Sequence, residues 1–274
     1  ERLKAWTRPM PSWGNWENDE LFVILRPVCK NANMANLLVD VGYTALKAAW
    51  ADGITLGKTF RYQGERTYDF IAGLVKRNRP EIMVICSVSE ITEQNIARLR
   101  KLCDRLLLID PVHTEILSEL SLPSECLTPD RASSAVACRH LFKGRGCTIF
   151  DFGTMMTVDF LDKEGNYEGG NISLGCRTRF KSVNRYSKTL PLLDTPDVFQ
   201  DMGDSIPSSI SSGVVLGMEY EIKGYIERYP ENMVIFTGGD ANYFAKRMKN
   251  SIFVVCNLVL MGLSLIAVRY DDRQ

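Results

Sequence analysis

An excess of charge of one sign is missing from this chain: 33 Lys+Arg stand against 33 Asp+Glu. No stretch of Lys and Arg is dense enough to track a phosphate backbone, which argues against nucleic acid as a main partner. Histidine is scarce, and neither His113 nor His140 completes a zinc-ligand spacing. His140 is expected on a helix, packed or exposed rather than catalytic. The eight cysteines (Cys29, Cys86, Cys103, Cys126, Cys138, Cys147, Cys176 and Cys256) form no C-x-x-C pair, so a zinc ribbon and a thioredoxin-like couple are excluded. They are expected to be buried free thiols in a reducing cytosol. Long hydrophobic runs are absent too. The most apolar stretch, 252–268, is 17 residues long, broken by Asn257 and Gly262, and short of a membrane span. It is expected to be a buried strand over 252–255 and then a packed helix. The first residues lack a charged start followed by an apolar run, so no secretory leader is expected and the location is read as cytoplasmic.

What is present is an ordinary globular composition. With 45% hydrophobic residues the chain can bury a core, which excludes disorder as its main state, and 274 residues suit one large domain or two modest ones. Residues 1–33 differ from the rest, holding three of the four tryptophans and no clear amphipathic period. They read either as an extension upstream of a natural start at Met34 or as an appendage packed on the body. The expected division is 1–33, 34–145 and 146–274.

From Met34 the hydrophobic pattern alternates between periods of two and 3.6. Strands are expected over 36–41, 81–86 and 106–109. A helix over 67–77 has Phe70, Ile71, Leu74 and Val75 on one face, and one over 93–103 has Ile96, Leu99 and Leu102 inward. Pro111 is expected to open a short helix, and 130–142 is a further helix ending near Gly144 and Gly146. The chain then starts again. Residues 37–53 read LLVDVGYTALKAAWADG and residues 148–165 read TIFDFGTMMTVDFLDKEG. Each is a strand, a D-x-G, a polar turn, a second strand and a charged turn with glycine. A long helix over 208–228, a strand over 233–237 and the turn Gly238-Gly239 follow. This internal duplication implies two similar α/β lobes facing each other across a cleft.

A D-x-G turn has a physical use. Glycine can take φ > 0 and let backbone amides approach a phosphate, and the aspartate can hold the cation that screens it. Thr44 and Lys47 follow Asp40 at spacings that could add a hydroxyl and an ammonium to the same cradle. One such turn is a weak signal; two at matching places in a duplicated chain are a stronger one.

The ordered set of motifs resembles the type III pantothenate kinase family, within the superfamily of acetate and sugar kinases, Hsp70 and actin. The matching stretches are D-V-G-x-T-x-x-K (40–47), D-R (130–131), D-F-G-T-x-x-T-x-D (151–159), G-G-N-I-S-x-G (169–175), K-T-L-P-L (188–192), S-G-V-V-x-G (212–217) and T-G-G-D (237–240). The resemblance implies two ribonuclease H-like, actin-like ATPase domains and ATP-dependent phosphorylation of pantothenate, the first step toward coenzyme A. It implies Asp130 as general base, although Asp130 taken alone reads equally well as a helix N-cap. It implies Arg131, Thr128 and Ile206 on the acceptor side, with the Arg131 fork on the substrate carboxylate. Asp40, Gly42, Thr44, Lys47, Thr154, Gly238 and Gly239 would bind ATP with Mg²⁺, Asp151 would hold K⁺ or NH₄⁺, and the protein would be a homodimer.

The chain departs from the family pattern at five places. Tyr43 stands for asparagine, Thr128 for glycine, Met155 for alanine, Leu174 for proline and Ile206 for threonine. These departures keep two other readings open: a non-catalytic or regulatory member that binds nucleotide or a protein partner, and a kinase of another small hydroxy acid or sugar.

Overall fold

The structure, a computed structural model, describes residues 22–25 and 35–271. The expected extension 1–33 lies outside the described residues apart from 22–25. The first half contains β1 (Phe22–Leu25), β2 (Asn36–Val41), β3 (Leu46–Asp52), β4 (Thr55–Tyr62), α1 (Thr67–Leu74), β5 (Ile82–Ser87), α2 (Glu93–Arg100), β6 (Arg105–Ile109), α3 (Glu115–Glu119) and α4 (Pro129–Leu141). The second contains β7 (Cys147–Phe152), β8 (Met155–Leu161), β9 (Tyr167–Leu174), α5 (Cys176–Tyr186), α6 (Ile206–Arg228), β10 (Met233–Gly238), α7 (Ala241–Ala245), β11 (Ile252–Val255) and α8 (Leu258–Asp271).

The strands form two sheets, ordered β4-β3-β2-β5-β6 and β9-β8-β7-β10-β11-β1. Both follow the same plan. A central strand (β2 or β7) pairs antiparallel with the next strand in sequence on one side and parallel with a later one on the other. The larger sheet adds β1 in parallel beside β11. The duplication seen in the letters is therefore a duplication of topology.

Period-two alternation on the central strands sets the layers. Leu37 and Val39 of β2 face an outer core with Ile71 of α1 and Ile96 of α2. Leu38 between them faces inward, to a core shared with Ile149 of β7, Ala135 of α4 and Leu263 of α8. Phe150 and Phe152 face the opposite outer core under α5, α6 and α7. Helices α4 and α8 thus lie between the sheets. Their crossing is tight: a Cβ on Gly262 would sit 1.8 Å from the Ser133 carbonyl oxygen. Apart from β1, which joins the larger sheet, the strands before α4 form one sheet and those after it the other, whereas the inner core takes residues from both halves.

Several boundaries differ from the periodicity. α1 stops at Leu74, because the run from Lys76 to Arg79 ahead of Pro80 has no apolar side chain to bury. α2 stops at Arg100. Pro111 opens no helix; α3 begins at Glu115. The cause is Asp110, whose carboxylate accepts the N–H groups of Val112 and His113 at 2.9 and 2.8 Å, and so ties those residues into a turn. Burial would raise the Asp110 carboxyl, but these bonds, with those from Ile91 N–H and the His113 ring, hold it below its ordinary value. Helix α5, with only Cys176 and Phe180 buried, is not visible as a periodic pattern. Among the described residues two thiols depart from the buried expectation, Cys126 being exposed and Cys256 half-buried, and Cys29 lies outside the described residues. No helix among the described residues is long and apolar enough to cross a membrane.

Candidate active site between the two hairpin turns

Asp40 lies near the carboxyl end of β2 and Asp151 near that of β7, where ligands of open α/β sheets gather. Each strand turns back at once. Gly42 N–H donates to Ala45 O at 3.2 Å and Gly153 N–H to Met155 O at 3.1 Å. These amides close their own turns, and neither glycine is among the residues with positive φ. The expectation of left-handed glycines at the D-x-G turns is therefore corrected. The left-handed glycine of the site is Gly238, with φ 91. A Cβ there would stand 2.4 Å from Asp151 Oδ1 and 2.5 Å from Phe152 N. Both φ and space thus demand glycine, and the next residue, Gly239, donates its N–H to Phe152 O at 2.8 Å.

The two turns meet. Thr44 Oγ1 and Thr154 Oγ1 are 2.7 Å apart, joining the sheets at the point where both hairpins bend. Lys47 sits directly opposite Asp40 in the β2–β3 register. Burial pushes the Asp40 carboxyl up to about 7, with Asp130 and Asp151 adding to the rise and Lys47 opposing it. Asp151 is pushed up to about 6, again first by burial, with Asp130 and Asp159 reinforcing it and Lys47 opposing. Three sequence-distant aspartates therefore share one electrostatic neighbourhood with a single lysine. That neighbourhood is short of positive charge, which is the donor chemistry of a hard cation. Among the described residues no three potential ligands form a ready-made metal cage. The set suits an ion that takes one or two carboxylates and completes its shell from phosphate oxygens and water.

Asp130 occupies the first turn of α4, and the N-cap position belongs to Thr128, which corrects the capping alternative. Asp130 Oδ1 accepts the Thr128 hydroxyl at 2.5 Å and Arg131 N–H at 3.0 Å. Oδ2 accepts no hydrogen bond from the described residues. Arg131 turns the other way, into a buried ion pair with Asp159 of β8. Cys86 of β5 completes the floor, its thiol donating to Asp40 Oδ1 at 3.5 Å.

The structure thus brings Asp40, Gly42, Thr44, Lys47, Asp130, Asp151, Thr154, Gly238 and Gly239 to one place, with Thr128 and Arg131 beside it. Ile206 opens α6 behind the cap Ser205, is 59% exposed, and no interaction ties it to the group. Tyr43 is 69% exposed at the tip of its turn. Asp159 and Cys86 were not singled out by sequence. Asp159 closes the second D-F-G motif eight residues after Asp151, which was its one signal, whereas nothing local marks Cys86.

Comparison with known proteins agrees with this architecture. A solved structure from Campylobacter jejuni, described as a conserved Baf family transcriptional activator, superposes with a TM-score of 0.61 at 19% identity, covering 87% of this chain and 100% of that one. The activator of 2-hydroxyisocaproyl-CoA dehydratase from Clostridium difficile, solved with bound ADPNP, gives 0.51 at 14% identity, covering 87% and 96%. These likenesses, with the repeated strand order, show the duplicated actin-like ATPase fold. Sequence carries more. A type III pantothenate kinase of Bacteroides fragilis (strain YCH46) is 34% identical over 236 residues, 84% of this chain and 96% of its own. One from Phocaeicola vulgatus is 33% identical over 242 residues, covering 87% and 99%. The family model described as type III pantothenate kinase matches residues 36–228, a span that runs from β2 through both hairpins and the D-R pair to the end of α6. By motif order, topology and descent alike, the chain belongs to the type III pantothenate kinase family.

Proposed function

We propose that this chain transfers the γ-phosphoryl group of ATP to the hydroxyl of pantothenate, giving 4'-phosphopantothenate and ADP. The observation that carries the reading is the convergence of both hairpin turns with Asp40, Lys47, Asp130 and Asp151 in a chain of this family. Thr44, Thr154 and Lys47 bind the phosphates, and Gly42, Gly238 and Gly239 let the nucleotide approach the backbone. Asp130 takes the acceptor proton on Oδ2, which accepts no hydrogen bond from the described residues. The acceptor oxygen then bonds to the γ-phosphorus as the bond to the bridging oxygen breaks and ADP leaves. Mg²⁺ with the nucleotide supplies the positive charge that the aspartates lack. Asp151, which accepts no hydrogen bond from the described residues, is the anchor for K⁺ or NH₄⁺. Thr128, Arg131 and Ile206 form the acceptor side.

The same reading makes the protein a cytoplasmic homodimer. Of the ten large apolar side chains exposed among the described residues, eight fall between residues 172 and 220, among them Ile172 and Leu174 on β9, Ile206 and Tyr220 on α6, and Leu192 and Met202 between α5 and α6. A second copy is the occupant that suits this stretch, because it would also cover Ile206 and bring it to an acceptor pocket.

The test is an acceptor panel of pantothenate, other small hydroxy acids and sugars, with Mg²⁺·ATP in K⁺ or Na⁺. ADP release specific to pantothenate and faster in K⁺ is expected. Release with another acceptor alone would move the reading to a different kinase, and ATP binding without turnover would favour a non-catalytic role.

A further inference from the structure

Arg131 is expected to offer its planar fork to the acceptor, yet the structure spends most of that fork inside the protein. Its Nε–H is shared between Asp159 Oδ1 and Oδ2 at 3.1 and 3.2 Å. Nη2 donates to Asp159 Oδ1 at 2.7 Å and to the Tyr167 hydroxyl at 3.0 Å, and Nη1 donates to the Cys126 carbonyl at 3.2 Å. The Tyr167 hydroxyl in turn donates to Asp159 Oδ1 at 2.9 Å. A guanidinium has five N–H groups, so one, on Nη1, is left among the described residues. The pair is sealed, with Arg131 and Asp159 side chains 6% and 2% exposed. The seal explains a glycine. Gly170 of β9 lies opposite Asp159 in register, and a Cβ there would stand 2.4 Å from Arg131 Nη2 and 2.5 Å from Asp159 Oδ1.

The consequence reaches Asp130. Arg131 is its neighbour in the first turn of α4, and the ion pair ties that turn to β8, the strand antiparallel to the one that carries Asp151. We propose that Asp159 is the positioning residue of the acceptor side: with Tyr167 it fixes Arg131 next to Asp130 and leaves it one N–H, not a fork, with which to hold the acceptor. The inference rests on the kinase reading for the claim that Arg131 faces pantothenate. Asp159 acts through Arg131 and touches neither substrate.

Kinetics of two variants test it. Asp159→Asn is expected to raise the KM for pantothenate about 10-fold while the KM for ATP stays within about twofold. Because that change strips the counter-charge from a buried guanidinium and can unfold the chain, Tyr167→Phe is the second variant. It removes one hydrogen bond at the edge of the pair and is expected to raise the pantothenate KM about threefold at nearly unchanged melting temperature. A purely structural role would lower the yield of folded protein and leave the KM of the folded fraction alone, and unchanged pantothenate KM in folded variants overturns the inference. If the wild type turns over no pantothenate, the kinase reading falls first. Calorimetric binding of pantothenate then decides: weaker binding by Tyr167→Phe sustains the positioning role, and equal binding or none overturns it.

Discussion

At the scale of the residue, Asp40 shows what the site costs the fold. Its carboxyl is pushed up to about 7, first by burial and then by Asp130 and Asp151, against an ordinary value of 3.8. A raised carboxyl binds its proton more tightly in the folded state, so its contribution to stability falls as pH rises from about 4 toward 7 and stays low above that. Asp40→Asn is neutral in both states. Thermal denaturation should therefore find the variant more stable than the wild type above pH 7, by on the order of 4 kcal/mol, with the difference gone near pH 4. On the proposed function phosphoryl transfer should be lost in the same variant, since the carboxylate proposed for the nucleotide side is gone. A variant less stable at pH 8 than the wild type would contradict the assigned electrostatics. Sequence showed this residue because D-x-G occurs twice in register. The partner of Arg131 was hidden for a physical reason: Asp159 lies 28 residues away and meets it only when β8 packs beside α4. The motif glycines were visible as letters, but their reasons were not. Gly238 yields to Asp151 and Gly170 to the buried ion pair.

At the scale of the element, the crossing of α4 and α8 holds the inner core together and carries Asp130 at one end. Gly262 sits where α8 meets the Ser133 carbonyl, a backbone atom that cannot swing aside. Gly262→Ala should force the helices apart and cost about 2–3 kcal/mol despite alanine's better helix propensity, read as a lower urea midpoint at unchanged slope. A stabilised variant would mean that the two helices are not packed as described. Elements with strong periodic burial were legible to within a few residues. The central strands β2, β5 and β7 read as largely apolar runs, interrupted in β2 and β7 by the site residues Asp40 and Asp151, because both faces are covered. The helix α5 was not legible, because its exposed face carries Arg177, Lys181 and Arg185 and only Cys176 and Phe180 are fully buried. The start of α3 failed for another reason: the Asp110 carboxylate competes for the amides that Pro111 would have released into a helix.

At the scale of the whole molecule, the duplication was readable because each half repeats the same strand, turn and strand. The shared core was not, because no local pattern says that α8 of the second half covers the first sheet. The exposed apolar stretch on β9 and α6 predicts a dimer in solution by light scattering, and Tyr220→Asp should shift it toward monomer while raising the pantothenate KM. A wild-type monomer at micromolar concentration would count against the second copy.

The central claim is that the residues between the two turns form a phosphotransfer site with Asp130 as base. The direct measurement is single-turnover ADP release with pantothenate, Mg²⁺ and K⁺, comparing wild type with Asp130→Asn at matched ATP saturation. Loss of about 10²–10⁴-fold in rate with ATP affinity within about threefold is predicted. Equal rates for the two proteins would contradict it.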